Sequence, residues 1–185
     1  ATTVEQFRTA LDELKAQGAT GLIFDLRNNT GGTLDSVCEI LDILLPEGTL
    51  GTIETKDGTI TELASSDADE IDLPMVVLGN SETASAAELF IAAFRDYDKG
   101  SFVGTKTYGK GVMQTLHTLS DGSAVSITTA YFNPPKSANF NAVGIVPDYE
   151  VVLSDSNQKL YASGGLSDQD DTQLMKAIEV LETAK

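Results

Sequence analysis

The chain has 185 residues, of which 41% are apolar and 22% are charged, and this composition excludes a disordered or collagen-like protein. Twelve lysines and arginines against 28 aspartates and glutamates give a net charge of −16, which argues against a general nucleic-acid binder or an anionic-membrane binder. The length fits one well-packed domain, and we predict a single domain over residues 1–185. The single cysteine, Cys38, cannot form an internal disulfide and is expected to be a buried apolar side chain.

The first part of the chain alternates helix and strand signals. Apolar residues at helical spacing from Val4 to Leu14 predict an amphipathic helix that ends near Gly18. The apolar run at 22–24 predicts a buried strand, and a second helix follows from about Thr33 until Pro46. This order predicts an α/β fold with a mixed, largely parallel sheet and flanking helices.

Two β-hairpins are predicted further along the chain, one over residues 48–62 and one over 112–131, because each contains an Asp-Gly turn between strand-like segments. The acidic run at 67–72 is expected to be solvated surface and not a metal site. The remaining predicted elements are a buried strand at 75–78, a helix at 84–97, a loop at 133–148 and a terminal helix at 170–183.

The turns that follow the two buried strands are the first places to look for a site, because ligands in open α/β sheets collect at the carboxyl ends of strands. In the first turn, Gly31 and Gly32 allow backbone N–H groups to face an anion at a helix N-terminus. In the second, NSETASAAE at 80–88, Ser85 opens a helix with the N–H of Ala86 beside it. Either motif alone is also typical of an ordinary turn or helix cap.

A serine nucleophile needs a base, and two residues qualify. His117, the only histidine, lies in a strand pattern and is more typical of an exposed edge-strand side chain. Lys110 lies between Gly109 and Gly111, and such glycines mark a close approach of the backbone to another group. A lysine acts as a general base when it is neutral, which burial in an apolar pocket favours. Lys110 is therefore the better candidate, and the absence of a GxxxxGK[ST] pattern disfavours a nucleotide site.

Together these motifs resemble those of the carboxyl-terminal processing peptidases, also called tail-specific proteases, which are serine endopeptidases with a Ser-Lys catalytic pair. The matching segments occur in order along the chain and include GLIFDLRNNTGG at 21–32, NSETASAAE at 80–88, FVGTKTYGKGVMQ at 102–114 and VGIVPD at 143–148. The resemblance implies a crotonase/ClpP-like core, with Ser85 as nucleophile and Lys110 as general base. It also implies an oxyanion hole formed by the N–H groups of Gly31 and Ala86. The implied mechanism requires no metal or organic cofactor.

For a third catalytic residue the family offers Gln114 and Asp96. Asp96 lies eleven residues beyond Ser85 on one predicted helix, which places it about 16 Å along the axis and too far away to orient Lys110. Gln114 lies four residues after Lys110, and we choose it because its amide oxygen could accept a hydrogen bond from the lysine. Asp96 is expected to pair with Arg95, Lys99 or another surface group. Arg27 is expected to pair with a nearby carboxylate and not with substrate.

Two departures from the family pattern are visible. Family members usually carry a PDZ peptide-binding domain, for which this sequence has no stretch of sufficient length, so we expect a catalytic domain separated from its recognition domain. Independently of the family pattern, the chain begins at Ala1 without a basic-then-apolar leader, and we expect any export signal or anchor to lie outside it. Residues 133–142, NPPKSANFNA, lack the glycine expected before GIVPD and are expected to change a loop on the substrate side.

The resemblance therefore implies a serine-type endopeptidase that cleaves proteins near their C-terminal tails through an acyl-enzyme, outside the cytoplasm of a bacterial-type cell. The expected partner is a protein or peptide substrate and not nucleic acid, with membrane contact only through parts absent from this chain and a homo-oligomer left open. Two alternatives remain: a non-catalytic peptide-binding scaffold of the same family, and a crotonase-like acyl-CoA enzyme. The lack of a basic cluster for coenzyme A speaks against the second.

Overall fold

The computed structural model describes residues 2–183, which form five helices and eight strands. The helices are α1 (Thr2–Ala16), α2 (Leu34–Leu44), α3 (Ala86–Asp96), α4 (Asp155–Ala162) and α5 (Thr172–Thr183). The strands are β1 (Leu22–Asp25), β2 (Gly48–Thr55), β3 (Ile60–Ser66), β4 (Met75–Gly79), β5 (Gly100–Gly104), β6 (Val112–Thr118), β7 (Ala124–Asn133) and β8 (Tyr149–Glu150). None of these helices has the length and apolar composition needed to cross a membrane.

The first sheet is parallel, has the strand order β1-β4-β5-β8, and is covered by helices on both faces. Every residue of β4 is buried, as expected for a central strand between two helical layers. Val76 and Leu78 pack with Ala177 and Val180 of α5. Met75 and Val77, which point the other way, belong to the main core with α2 and α3. The main core includes Leu41, Leu44, Leu89, Phe90, Phe94 and Phe102.

The second sheet is antiparallel, has the strand order β3-β2-β7-β6, and contains both predicted hairpins. The hairpins join through β2 and β7, where Ile53 lies opposite Phe132. The mixed α/β architecture is confirmed, but the prediction of a largely parallel sheet is wrong. The hairpin strands pair with each other and form a separate sheet of four strands, equal in number to the parallel one.

Three elements were absent from the sequence prediction, and each carries a weak local signal. Strand β5 is short and begins and ends with glycine, and the carbonyl of Met75 leaves no room for a Cβ atom on Gly100. Strand β8 has two residues, and α4 buries none of its side chains, so neither shows apolar periodicity.

The predicted start of α2 is confirmed, since the Thr33 side chain accepts the N–H of Ser36 at 3.2 Å.

Candidate active site

Ser85 lies in a sharp turn between β4 and α3 and forms the N-cap of α3. Its backbone angles are φ 61° and ψ −124°, an uncommon conformation for a residue with a side chain. Two hydrogen bonds hold the turn in place: the N–H of Ala84 donates to the carbonyl of Asn29 at 3.0 Å, and the N–H of Ser85 donates to Glu88 Oε2 at 2.9 Å. Strain maintained in this way is a feature of functional sites.

Gly31 lies directly against the Ser85 turn. It has φ 91°, and a Cβ atom built on it would lie 2.7 Å from Ala84 O, 2.9 Å from Ala86 N and 3.0 Å from Ser85 Cβ. The two predicted oxyanion residues, Gly31 and Ala86, are therefore neighbours, because β1 and β4 are adjacent parallel strands whose carboxyl ends meet at one edge of the sheet. The N–H of Gly31 donates to Asn29 Oδ1 at 2.9 Å, so this donor is engaged within its own turn.

Polar side chains fasten the two turns together. The N–H of Asn28 donates to Asn80 Oδ1 at 3.0 Å, and Asn80 Nδ2 donates back to Asn28 Oδ1 at 2.8 Å. The hydroxyl of Thr83 donates to the carbonyl of Leu26 at 2.7 Å and accepts the N–H of Asn80 at 2.9 Å. The relative position of the Gly31 and Ser85 turns is thus set by paired amide groups as well as by the sheet.

A fully buried carboxylate, Glu88, connects the Ser85 turn to the segment that carries Lys110. Its Oε2 accepts the N–H of Ser85 at 2.9 Å and the N–H of Lys110 at 2.8 Å. Its Oε1 accepts the N–H of Gly109 at 2.7 Å and the hydroxyl of Thr107 at 2.5 Å. Four donors fill the acceptor sites of the carboxylate, which offsets the cost of burying it.

Sequence reasoning assigned no role to Glu88. The signal that could have found it is the pairing of Ser85 at the N-cap with a glutamate three residues later, the pattern of a capping box. That pattern predicts a helix start. It does not predict that the Glu88 carboxylate would also accept three hydrogen bonds from residues 107–110.

The glycines on either side of Lys110 make the close approach that the sequence predicted. Gly109 has φ 93°, and a Cβ atom on it would lie 2.7 Å from Gly144 N. A Cβ atom on Gly111 would lie 2.5 Å from Asn139 Oδ1. Lys110 itself is half-buried, and its backbone is held at Glu88 beside that of Ser85. The structure thus brings Ser85, Ala86, Gly31 and Lys110 to one place.

The chain is similar to several known proteins. Residues 1–151 match the profile described as Peptidase family S41. The chain belongs to peptidase family S41. It is 38% identical over 172 residues to the carboxyl-terminal-processing protease of Synechocystis, covering 93% of this chain and 39% of that protein. It is 32% identical over 155 residues to the carboxy-terminal processing protease CtpA of Bacillus subtilis, covering 83% of this chain and 33% of that protein.

A solved structure of a photosystem II D1 C-terminal processing protease is similar in fold to this S41 chain, with a TM-score of 0.75 and 35% identity. The match covers 92% of this chain and 45% of the other. The resemblance to carboxyl-terminal processing peptidases is therefore confirmed. The S41 chain spans less than half the length of these relatives.

Gln114 and His117 of the S41 chain both lie on β6, the edge strand of the antiparallel sheet, and both are exposed. Gln114 lies opposite Thr128, next to an irregularity in the pairing of β6 with β7. Within residues 2–183 its side chain makes no hydrogen bond to Lys110, so its role as third catalytic residue stays a prediction. The exposed edge position predicted for His117 is confirmed.

Asp96 is the last residue of α3 and lies at the opposite end of that helix from Ser85. Its Oδ2 accepts the N–H groups of Lys136 at 2.8 Å and Ser137 at 2.9 Å. It pairs with neither Arg95 nor Lys99, which form ion pairs with Asp148 and Glu70. Asp96 was expected to pair with Arg95, Lys99 or another surface group, and the last of these is correct, because the loop after β7 passes the end of α3.

Arg27 is buried beside the carboxyl end of β1 and pairs with acidic groups, as predicted. Its guanidinium contacts Asp25 at 2.6 Å and Asp171 at 2.8 Å, and it also donates to Gln173 Oε1 at 3.1 Å. Burial lowers the pKa of the Arg27 guanidinium, but the hydrogen bonds and charges of Asp25 and Asp171 outweigh this effect and raise its pKa above the usual value. Arg27 therefore fastens α5 to the parallel sheet.

Proposed function

We propose that this chain is the catalytic domain of a serine endopeptidase that cleaves protein substrates near their C-terminal tails, with Ser85 as nucleophile and Lys110 as general base. The observation that carries the proposal is the Glu88 carboxylate, whose Oε2 holds the backbone N–H groups of Ser85 and Lys110 together. Membership of peptidase family S41 and the names of the relatives support the reaction and the substrate class. We take residues 1–185 as one domain.

The reaction follows the logic of acyl transfer. Neutral Lys110 takes the proton of the Ser85 hydroxyl, and the resulting alkoxide attacks the carbonyl carbon of the scissile peptide bond. Backbone N–H groups of Ala86 and Gly31 stabilise the oxyanion that forms. The lysine ammonium then protonates the leaving amine, and a water molecule, deprotonated by Lys110, hydrolyses the acyl-enzyme.

Gly31 contributes to this oxyanion hole only after its N–H leaves Asn29 Oδ1, to which it donates at 2.9 Å. Substrate binding is expected to supply that rearrangement.

For the third catalytic residue we retain Gln114, because Asp96 is engaged with Lys136 and Ser137 at the far end of α3. The buried parallel strand that leads into Ser85 at a helix N-terminus supports a crotonase/ClpP-like core. We also propose an extracytoplasmic location and action on unfolded or tail-bearing proteins.

A serine-reactive phosphonate tests the proposal. We expect it to label the full-length enzyme at Ser85, and we expect Ser85→Ala to abolish both labelling and cleavage of an unfolded protein. Lys110→Ala is expected to abolish cleavage, whereas His117→Ala retains it because His117 is an exposed edge-strand residue. Cleavage that persists in Ser85→Ala at the wild-type rate would contradict the assignment.

A non-catalytic peptide-binding scaffold is the second candidate, and the engaged N–H of Gly31 is the observation that favours it. It gains support if a peptide binds the full-length protein while the phosphonate fails to react. Nothing in the site favours an acyl-CoA enzyme over a member of a peptidase family.

A further inference from the structure

Residues 139–144 wrap around the segment that carries Lys110. The carbonyl of Gly109 accepts the N–H of Ala142 at 2.9 Å. On the other side of the lysine, the N–H of Gly111 donates to Asn141 Oδ1 at 3.2 Å, and Asn139 Nδ2 donates to the carbonyl of Gly111 at 3.2 Å. Both neighbours of Lys110 are therefore bound to one loop, while the N–H of Lys110 itself is bound to Glu88.

The two asparagines are themselves held by the surrounding backbone. Asn139 Oδ1 accepts the backbone N–H of Asn141 at 2.7 Å, so the Asn139 side chain supports the backbone of Asn141. Asn139 Nδ2 shares its two hydrogens among three acceptors, since it also lies 2.9 Å from the carbonyl oxygen of Phe132 and 2.7 Å from Asn133 Oδ1. The Asn139 side chain is thus anchored to the end of β7, and it also holds the carbonyl of Gly111. Within the segment expected to change a substrate-side loop, residues 139–142 contact the segment that carries Lys110.

The physical need for such a support follows from the sequence Gly-Lys-Gly. Two glycines leave the backbone on both sides of Lys110 with more conformational freedom than any other residues would. A general base acts only when its nitrogen lies within hydrogen-bond reach of the hydroxyl it deprotonates. Bonds that fix Gly109 and Gly111 therefore decide where the lysine side chain begins and in which direction it points.

We propose that Asn141, supported by Asn139, is a positioning residue that holds Lys110 in its reactive place through the backbone of Gly111. This inference rests on the proposed function, because it assigns the role through Lys110. It extends that function to two half-buried amide side chains that do not touch the reacting atoms.

The test compares Asn141→Ala and Asn141→Asp in the full-length enzyme. The alanine variant loses the acceptor for the Gly111 N–H, and we expect kcat to fall by up to about 100-fold with KM nearly unchanged. The aspartate variant keeps an oxygen acceptor of the same size, and we expect it to recover kcat at its optimum. Because a new negative charge favours the protonated lysine, the ascending limb of kcat/KM against pH is expected to move to higher pH. Glu88 is present in both variants, so the difference reports on residue 141.

Asn157→Ala is the matched control, since Asn157 lies on α4 and donates to the carbonyl of Asp170 at 2.9 Å, away from Lys110. A folded Asn141→Ala variant with kcat within about twofold of wild type would overturn the inference. If that variant does not fold, the aspartate variant decides, and an unmoved ascending limb overturns the inference. Failure of the proposed function is distinguishable, because then the unmodified enzyme either cleaves no substrate or keeps its full activity in Ser85→Ala.

Discussion

Ser85 and Lys110 donate their backbone N–H groups to the same oxygen atom, Oε2 of Glu88, at 2.9 and 2.8 Å. The two residues lie in different turns, one after β4 and one before β6, and a single buried carboxylate sets the distance between them. The position of the proposed nucleophile relative to the proposed base therefore depends on a residue that need not touch the substrate.

Glu88→Gln is expected to separate the two turns. An amide has one acceptor oxygen and an NH₂ group, so at least two of the four donors around residue 88 lose their acceptor and some face another donor. We expect a loss of about 3 kcal/mol in the free energy of unfolding, measured by urea denaturation, and loss of phosphonate labelling at Ser85. Glu82→Gln is the control, since Glu82 lies exposed in the same turn. Equal effects of the two substitutions would show that Glu88 has no special role.

Gly31→Ala is expected to displace the Ser85 turn. A Cβ atom at Gly31 would lie 2.7 Å from Ala84 O, and the residue has φ 91°, a conformation that costs an L-residue about 1 kcal/mol. We expect phosphonate labelling at Ser85 to slow by at least about 10-fold. At Gly32 an added Cβ would meet nothing within 4 Å, so Gly32→Ala serves as the control and should label at nearly the wild-type rate. Normal labelling of Gly31→Ala would contradict the close contact between the turns.

Arg27→Met is expected to destabilise the attachment of α5. The substitution leaves Asp171 buried without its cation, and breaking a buried ion pair costs about 3 kcal/mol. The free energy of unfolding, measured with urea, should fall by that amount. Arg8→Met, at an exposed position of α1, should change it by less than about 0.5 kcal/mol. A similar small change at Arg27 would mean that the ion pairs with Asp25 and Asp171 add little to stability.

Cys38 is expected to be unreactive in the folded protein. Burial, with a smaller effect from the charge of Asp35, raises the pKa of the Cys38 thiol to about 11, so about a thousandth of it is thiolate at pH 8. A thiol reagent should modify the native chain slowly at pH 8 and the guanidinium-unfolded chain at once. Because the folded thiol holds its proton more tightly than the unfolded one, its contribution to stability is full below the unfolded pKa and is lost as pH rises through about 11. Rapid modification of the native chain would contradict this burial. The Cys38→Ala variant, which has no thiol, gives the background signal of the reagent.

Much of the architecture could be predicted from short stretches of sequence. The helices α1, α2, α3 and α5, the strands β1 and β4, and both hairpins follow from apolar spacing and Asp-Gly turns, since each signal lies within a few neighbouring residues. The same holds for Ser85 at a helix start and for the close approach of the backbone at Gly109 and Gly111. The family resemblance also rests on short motifs, each of a few neighbouring residues, that occur in a fixed order along the chain.

The tertiary structure alone decided which of these pieces meet. The sequence did not predict that the hairpins would form their own sheet, that Asp96 would bind the loop at Lys136 and Ser137, or that Asn29 would engage the N–H of Gly31. The role of Glu88 is the clearest case, because its local pattern accounts for one of its four hydrogen bonds. The other three come from residues 107–110, which reach Glu88 only because β5 pairs with β4, and strand pairing depends on the packing of the whole chain.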